Sequence, residues 1–161
     1  ERMQELIENI LMLARHGKTI DDTESVALDD CVSESWATVE TVDATLNIET
    51  TKSIVADESR LRQVFGNLIR NAIEHGGADI TITVGDIDGG FYVADDGPGI
   101  PEAKQTEVFE PSYTSTESGT GLGLAIVREI VDAHGWEITA TESRTGGARF
   151  EIEGIKRSTE N

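Results

Sequence analysis

The chain has 161 residues, with 31 acidic residues against 13 basic ones and a formal net charge of −18. This length is sufficient for one domain with its own hydrophobic core. The acidic excess argues against duplex nucleic acid or an anionic membrane surface as the partner.

The acidic residues are spread along the whole chain rather than gathered in a tail. Self-repulsion of this size is tolerated where salt screens it, because the Debye length falls to about 3 Å at 1 M. The composition predicts a protein of a high-salt cytoplasm, as in halophilic archaea, with an ordinary acidic protein as the alternative. The single cysteine, Cys31, fits a reducing compartment, and no apolar run is long enough for a membrane span.

Residues 1–15 carry an apolar stripe with helical spacing, formed by Met3, Leu6, Ile10 and Leu13. Such a stripe indicates a contact with another helix or a second chain. Gly17 ends this helix, and residues 18–25 are predicted to be a polar linker. The chain begins in mid-helix and without Met, so we expect it to be a piece of a longer protein.

Three short segments have the pattern of strands, at residues 26–28, 45–49 and 53–56. Between the first two lies a predicted helix with Asp29 or Asp30 as its N-cap. Its apolar positions are Val32, Trp36, Val39 and Val42.

A second helix is predicted from a cap at Asp57 to Gly76-Gly77. Asn67, Asn71 and His75 recur every fourth residue and form one polar stripe on it. The apolar surface around the stripe is formed by Leu61, Val64, Phe65, Leu68, Ile69, Ala72 and Ile73. A buried amide without partners costs about 1–3 kcal/mol, so the stripe is predicted to line the edge of a pocket.

Residues 80–84 and 91–94 predict an antiparallel hairpin, which leads into a loop containing Asp95, Gly97 and Gly99. A carboxylate there can accept a hydrogen bond from an exocyclic amine, while the glycines let a flat ring approach the backbone. For this loop alone, a turn without a ligand is the alternative. The 19 residues from 100 to 118 are long for a connection and predict a lid or disorder.

The glycine-rich segment 119–124 opens a third helix, which ends at His134-Gly135. Its free N–H groups and helix dipole favour a phosphate. Neither a dinucleotide-binding fingerprint nor a P-loop is present. Two further strands, at 136–141 and 148–155, are joined by a Gly146-Gly147 turn.

These elements predict an α+β fold, an α/β sandwich with three helices on one face of a mixed, mostly antiparallel sheet, preceded by a helix stub. The predicted organisation is a stub at 1–17, a linker at 18–25, a globular domain at 26–155 and a polar tail at 156–161.

The asparagine helix, the Asp-x-Gly-x-Gly loop, the long connection and the glycine-rich helix start occur in a fixed order. In this order the chain resembles the ATP-binding domain of sensor histidine kinases, within the gyrase, Hsp90, histidine kinase and MutL superfamily, over residues 26–155. The resemblance implies a Bergerat-type fold, ATP and Mg²⁺ as cofactors, and transfer of the γ-phosphoryl group to a histidine.

The resemblance also implies roles for single residues. Asn71 would be the Mg²⁺ ligand through its amide oxygen, Asn67 would support the phosphates or the metal's water, and both are the candidate catalytic residues. Asp95 would recognise adenine. The other implied nucleotide contacts are His75, Gly97, Gly99, Ile100, Thr120, Gly121, Leu122, Gly123 and Leu124, and residues 109–114 resemble the F box of the lid.

Two departures from the family pattern concern a basic residue. Glu74 and Thr116 stand where many members carry a basic residue, so either Glu74 turns outward or affinity depends on Mg²⁺, backbone N–H groups and a cation such as Arg70 or Lys104. This departure leaves a degenerate regulatory module as one alternative. A gyrase- or Hsp90-type ATPase is the other, and it is disfavoured because those enzymes place a water-activating Glu at the position of Asn67.

The acceptor histidine is expected outside this chain. His16 lacks the acidic neighbour of an acceptor, and His75 and His134 belong to the ATP-binding domain. Residues 1–17 are interpreted as the end of a dimerisation hairpin. The resemblance therefore implies a homodimer through that hairpin, a response regulator receiver domain as partner and a cytoplasmic location, with no nucleic-acid partner and no membrane contact within this chain.

Overall fold

The computed structural model describes residues 23–39, 43–76, 79–99, 123–143 and 146–155. Within these ranges the chain forms seven strands and three helices. In chain order they are β1 (Glu24–Ala27), α1 (Leu28–Thr38), β2 (Thr45–Ile48), β3 (Ser53–Ala56), α2 (Glu58–Gly76), β4 (Thr81–Ile87), β5 (Gly90–Asp95), α3 (Gly123–Ala133), β6 (Glu137–Glu142) and β7 (Ala148–Glu153). The predicted stub and tail lie outside the described residues.

Five strands form one mixed sheet in the order β2-β4-β5-β7-β6. Strand β2 runs parallel to β4, because the chain between them crosses over through β3 and α2. The other three pairings are antiparallel. The β4–β5 hairpin turns at Asp88-Gly89, where Gly89 has a φ of 76°. The predicted fold class and the predicted hairpin are confirmed.

Strands β1 and β3 form a separate antiparallel ribbon, with Glu24 opposite Ala56 and Ala27 opposite Ser53. Lys52, just before β3, joins this ribbon to the main sheet. Its Nζ donates to the backbone oxygens of Ile87 at 3.2 Å and Gly90 at 2.8 Å, on either side of the hairpin turn. Strand β1 begins within the segment that the sequence predicts as a linker.

The core lies between the helices and one face of the sheet. Helix α2 contacts both α1 and α3, and its Phe65 packs against Phe91 of β5 with ring centroids 5.2 Å apart. The predicted apolar surface of α2 is buried except at Ile73, which is half-buried. On the opposite face of the sheet, Tyr92 and Arg149 are half-exposed, so that face is partly open to solvent.

The start of α1 differs from the sequence prediction. The helix begins at Leu28, which the sequence assigned to the preceding strand, and the N-cap is Ala27 with no side-chain capping bond. Asp29 and Asp30 lie in the first turn, where carboxylates still favour the helix dipole. The Leu28 side chain is fully buried and its N–H donates to the Lys52 oxygen at 3.0 Å, so tertiary contacts fix where the helix begins.

The predicted cap of α2 is confirmed. Asp57 Oδ1 accepts the Arg60 N–H at 3.3 Å and the Ser59 hydroxyl at 3.0 Å. The Asp57 N–H itself donates to Nε2 of His134 at 3.1 Å, and His134 Nδ1 lies 2.9 Å from the Ile130 oxygen. His134 therefore links the end of α3 to the start of α2.

Helix α3 ends as the sequence predicts, in a Schellman motif. Gly135 has a φ of 81°, its N–H donates to the Asp132 oxygen at 3.0 Å, and the Trp136 N–H donates to the Val131 oxygen at 3.0 Å. In the described ranges, none of the helices combines the length and the apolar character needed to cross a bilayer.

Candidate functional site

The polar stripe of α2 is partly inside the protein. Asn67 is only 5% exposed, and Asn71, one turn later, is half-buried. The side chain of His75 lies outside the described residues. Asn67 Oδ1 accepts a hydrogen bond from a guanidinium nitrogen of Arg70 at 2.8 Å. Asn67 Nδ2 is buried and has no hydrogen-bond partner among the described residues.

That unpaired amide nitrogen marks α2 as the wall of a site. A buried donor without an acceptor costs about 1–3 kcal/mol, and native proteins retain few of them. The sequence predicts that this stripe lines the edge of a pocket. No described residue supplies the corresponding acceptor, and a water or a ligand oxygen would satisfy it.

Asn71 has the donor chemistry for a hard cation. In the described part of the chain no group of three or more His, Cys, Asp or Glu side chains comes together as a metal site. A cation at Asn71 would therefore be held by the amide oxygen together with oxygens from a ligand, which is the way Mg²⁺ is often bound beside phosphates. Glu74, on the following turn, is half-buried.

Asp95 ends β5 and is held by backbone groups on two sides. Its Oδ1 accepts the N–H of Gly97 at 3.0 Å and the N–H of Ala148 at 3.0 Å. Its backbone oxygen accepts the hydroxyl of Ser143 at 2.9 Å. The position and plane of this carboxylate are therefore fixed by the loop after β5 and by the β6–β7 turn.

Glycine is needed where these two segments meet. A Cβ on Gly147 would lie 2.5 Å from Asp95 Oδ1 and would overlap the Asp95 backbone oxygen. Gly99 has a φ of 81°, and a Cβ there would overlap the Gly146 oxygen. The sequence assigned the glycines of the Asp95 loop to the approach of a flat ligand. In the structure, Gly99 and Gly147 also allow two backbone turns to pack together.

Ser143 and Gly147 belong to this corner, although the sequence did not single them out as site residues. Ser143 Oγ accepts the Gly147 N–H at 2.9 Å while it donates to Asp95, and the Ser143 N–H donates to the Gly147 oxygen at 2.7 Å. The Gly146-Gly147 pair was visible in the sequence as a turn. Nothing local showed that this turn packs on residue 95, which is distant along the chain.

The glycine-rich start of α3 is described only from Gly123 onward. The Leu124 side chain is 8% exposed and packs in the core, so a ligand would meet its backbone. The remaining predicted contacts and the residues discussed with them lie outside the described residues, namely Ile100, Lys104, residues 109–114, Thr116, Thr120, Gly121 and Leu122.

Cys31 and His134 are not reactive groups of the site. Burial raises the pKa of the Cys31 thiol to about 12, so it is not a thiolate at neutral pH. Burial also lowers the pKa of His134 below its usual value, despite its hydrogen bond to Ile130 and the nearby Asp57. The neutral ring matches its contacts, with Nδ1–H as donor and Nε2 as acceptor of the Asp57 N–H.

Comparison with known proteins identifies the family. Residues 56–157 match the family described as "Histidine kinase-, DNA gyrase B-, and HSP90-like ATPase". The signal transduction histidine-protein kinase AfsQ2 of Streptomyces coelicolor is 33% identical to this chain over 163 residues, which cover 94% of this chain and 30% of AfsQ2.

Solved structures show the same fold. The catalytic domain of histidine kinase ThkA, in a nucleotide-free form, matches with a TM-score of 0.68 and 32% identity, covering 82% of this chain and 94% of that one. Full-length ShkA in complex with AMPPNP matches with a TM-score of 0.76 and 27% identity, covering 96% of this chain and 36% of ShkA.

The chain spans between 20% and 30% of the length of the curated relatives that it matches. The match therefore concerns one domain of those proteins. The family match, the likeness to a histidine kinase catalytic domain and the order of the site motifs agree. The chain belongs to the histidine kinase-, DNA gyrase B- and HSP90-like ATPase family, as an ATP-binding catalytic domain of the histidine kinase type.

Proposed function

We propose that this domain binds Mg-ATP between the polar stripe of α2 and the Asp95 corner, and that the whole protein is a two-component sensor histidine kinase. In that protein the γ-phosphoryl group would pass from ATP to a histidine on a helix outside this chain. The observation that carries the proposal is the buried Asn67 amide nitrogen, which has no acceptor among the described residues. Asn67 lies on the helix face that also carries Asn71.

The Asp95 corner supports recognition of adenine. Two backbone N–H groups hold its Oδ1, so the carboxylate is presented in one orientation. An ionised carboxylate only accepts hydrogen bonds, and adenine offers an exocyclic amino group. Guanine carries a carbonyl oxygen at the same ring position, which would repel the carboxylate. The corner therefore favours ATP over GTP.

The α2 stripe supports the phosphate end. Asn71 would ligate Mg²⁺ through its amide oxygen. Bound Mg²⁺ would neutralise part of the negative charge of the phosphates. Phosphoryl transfer requires positioning and charge stabilisation more than covalent help from the protein. The protein's part is to hold the phosphates in place beside Asn67 and Asn71.

Transfer is favoured over hydrolysis by the residue at position 67. In transfer, the bond from the γ-phosphorus to the bridging oxygen of ADP breaks and a bond to an imidazole nitrogen forms. Hydrolysis would need a base to take a proton from water. Asn67 is an amide and cannot act as that base, so a sustained ATPase of the gyrase or Hsp90 kind is disfavoured.

Titration calorimetry with Mg-ATP, Mg-GTP and metal-free ATP in molar KCl tests the nucleotide site. We expect the wild type to prefer Mg-ATP. Asn71→Ala should remove the dependence on Mg²⁺, and Asp95→Ala should remove the discrimination between ATP and GTP. Thr83→Ala, at a half-buried position of β4 outside the proposed site, serves as the control that should change neither.

A degenerate interaction module is the second candidate, and Glu74 on α2 favours it because a carboxylate close to the triphosphate would repel it. If the folded wild type bound no nucleotide in either dilute buffer or molar salt, this second function would replace the first.

The partners of the whole protein follow from the same proposal. We expect a homodimer through a helical hairpin to which residues 1–17 belong, and a response regulator receiver domain that accepts the phosphoryl group in the cytoplasm. Relatives named as sensor histidine kinases support this expectation. Incubation of the full-length protein with γ-labelled ATP should label a histidine that precedes residue 1. No label on the full-length protein would contradict it.

A further inference from the structure

We propose that Arg70 is a positioning residue, which turns the Asn67 amide so that its NH₂ group donates to a phosphate oxygen of the bound nucleotide. Asn67 is then a donor to an anion and is neither a metal ligand nor a partner of the metal's water. The inference rests on the proposed function and gives a defined task to Arg70, which the sequence offered only as a possible source of positive charge.

The orientation of the amide follows from the chemistry of its neighbour. A guanidinium nitrogen of Arg70 lies 2.8 Å from Asn67 Oδ1. Arginine carries five donors and no acceptor, so the atom that faces it must be the amide oxygen. Because the oxygen is held in this way, the nitrogen is directed to the other side of the amide.

The Arg70 side chain runs back toward the start of α2. A Cβ built on Gly66 would lie 3.7 Å from both terminal nitrogens of Arg70, so the guanidinium extends back along α2 over Gly66. A methyl group at position 66 would be in ordinary van der Waals contact with the guanidinium. The guanidinium therefore lies beside Asn67 and above the preceding residue of α2, where it can act on the nucleotide through the amide.

The chemistry of the missing partner is defined by the donor. Asn67 Nδ2 is buried without an acceptor among the described residues. An N–H group cannot ligate a cation. The oxygen of a metal-bound water has its lone pair on the metal and directs its hydrogens outward, so it is also a poor acceptor. A phosphate oxygen carries negative charge and free lone pairs, and charge-assisted bonds of this type are short and strong.

Three substitutions test the inference by calorimetry with Mg-ATP, metal-free ATP and adenosine. Asn67→Leu removes the amide with little change in volume, and should raise the Kd for ATP about 10-fold or more because a bond to a charged group is lost. The Kd for adenosine and the ratio of ATP affinities with and without Mg²⁺ should not change. A change in that ratio would overturn the assignment of Asn67 as an anion donor.

Arg70→Met keeps the aliphatic stem but removes the donors, and should raise the Kd for ATP about 3- to 10-fold by freeing the amide to rotate. Arg70→Lys retains one donor for Oδ1 and should recover most of the affinity. Arg62→Met is the matched control on the same helix, where Arg62 pairs with Glu34 on α1 at 3.5 Å, and it should leave the Kd unchanged.

The double variant Asn67→Leu/Arg70→Met separates positioning from direct contact. If Arg70 acts through Asn67, the double variant binds ATP as weakly as Asn67→Leu alone. If the two losses add, Arg70 contacts the nucleotide itself and the positioning role is overturned. Should Asn67→Leu fail to fold, Arg70→Met and Arg70→Lys still decide the question, because Arg70 is only half-buried.

Failure of the inference can be told apart from failure of the proposed function. A folded wild type that binds no ATP contradicts the proposed function. If the wild type binds ATP and Asn67→Leu has the same Kd for ATP, only the inference is contradicted. That result would indicate that a buried water accepts the Nδ2 hydrogen bond.

Discussion

The two ends of the candidate site are built in different ways. At the Asp95 end, two backbone N–H groups hold one carboxylate oxygen, and a serine hydroxyl holds the backbone carbonyl. At the Asn67 end, one guanidinium holds the amide oxygen and the amide nitrogen has no partner among the described residues.

The difference shows which end can be complete before a ligand arrives. Backbone groups of two turns lose little freedom when they position Asp95, since the turns are already folded. Asn67 is positioned by a long side chain that has many rotamers, and its second polar atom still needs an acceptor. We therefore expect the adenine end to be rigid in the free protein and the phosphate end to be completed by the nucleotide.

The largest effect is expected at Gly147. Gly147→Ala places a methyl group 2.5 Å from Asp95 Oδ1, against backbone that cannot move easily. We expect a loss of about 2–3 kcal/mol in the free energy of unfolding, measured by chemical denaturation, together with weaker ATP binding. Gly146→Ala is the control, because a Cβ there meets open space and only its φ of 93° is unfavourable. Equal losses in both variants would contradict close packing at Asp95.

Ser143→Ala removes one support of the same corner. It deletes the donor to the Asp95 oxygen and the acceptor of the Gly147 N–H. We expect the free energy of unfolding to fall by about 1–2 kcal/mol. The affinity for ATP should fall more than the affinity for inorganic triphosphate, which has no adenine. Ser143→Thr should restore the hydroxyl. If Ser143→Thr restores the free energy of unfolding while Ser143→Ala does not change the preference for ATP, the Asp95 corner stabilises the fold but does not recognise adenine.

His134, which links the end of α3 to the start of α2, makes the stability of the folded protein depend on pH. Burial lowers its pKa in the folded state, so the folded protein favours the neutral ring. As the pH falls below the unfolded value near 6.5, the unfolded chain takes up a proton first, and stability decreases until the folded pKa is passed. Protonation also opposes the hydrogen bond from the Asp57 N–H at the start of α2.

His134→Phe keeps a flat ring beside Trp136, 4.2 Å away in the folded protein, but cannot titrate. Urea denaturation between pH 7 and pH 5 should show that the free energy of unfolding falls less with decreasing pH in the variant than in the wild type. Equal slopes would mean that His134 is not protonated differently in the folded and unfolded chains.

The smallest effect is expected at Gly66, beside Arg70. Gly66→Ala adds a methyl group at ordinary contact distance, 3.7 Å from the guanidinium, and removes a flexible residue from the middle of a helix. We expect a gain of about 0.5–1 kcal/mol in the free energy of unfolding and little change in ATP affinity. A clear loss of ATP affinity would indicate that the methyl group displaces Arg70 from Asn67.

Much of the fold could be predicted because its elements carry periodic patterns. Helix α2 shows a helical repeat, the β4–β5 hairpin alternates around a turn, and α3 ends at a glycine with positive φ. The start of α1 was predicted wrongly, because the choice between Ala27 and Asp29 depends on the burial of Leu28 and on its bond to Lys52. Lys52 is distant from Leu28 along the chain and reaches it only because β3 pairs with β1.

The sequence by itself determined the family motifs, their order and the polar stripe of α2, because each of these is a local pattern of residue types. Its acidic composition also makes the high-salt habitat a prediction that stays open to a salt titration of stability. Only the tertiary structure decided that the β6–β7 turn holds Asp95 and that Arg70 holds the amide oxygen of Asn67, whose nitrogen has no partner in the described part of the chain. Hydrogen-bond partners depend on distances and angles between atoms, and residue spacing along a chain does not fix them.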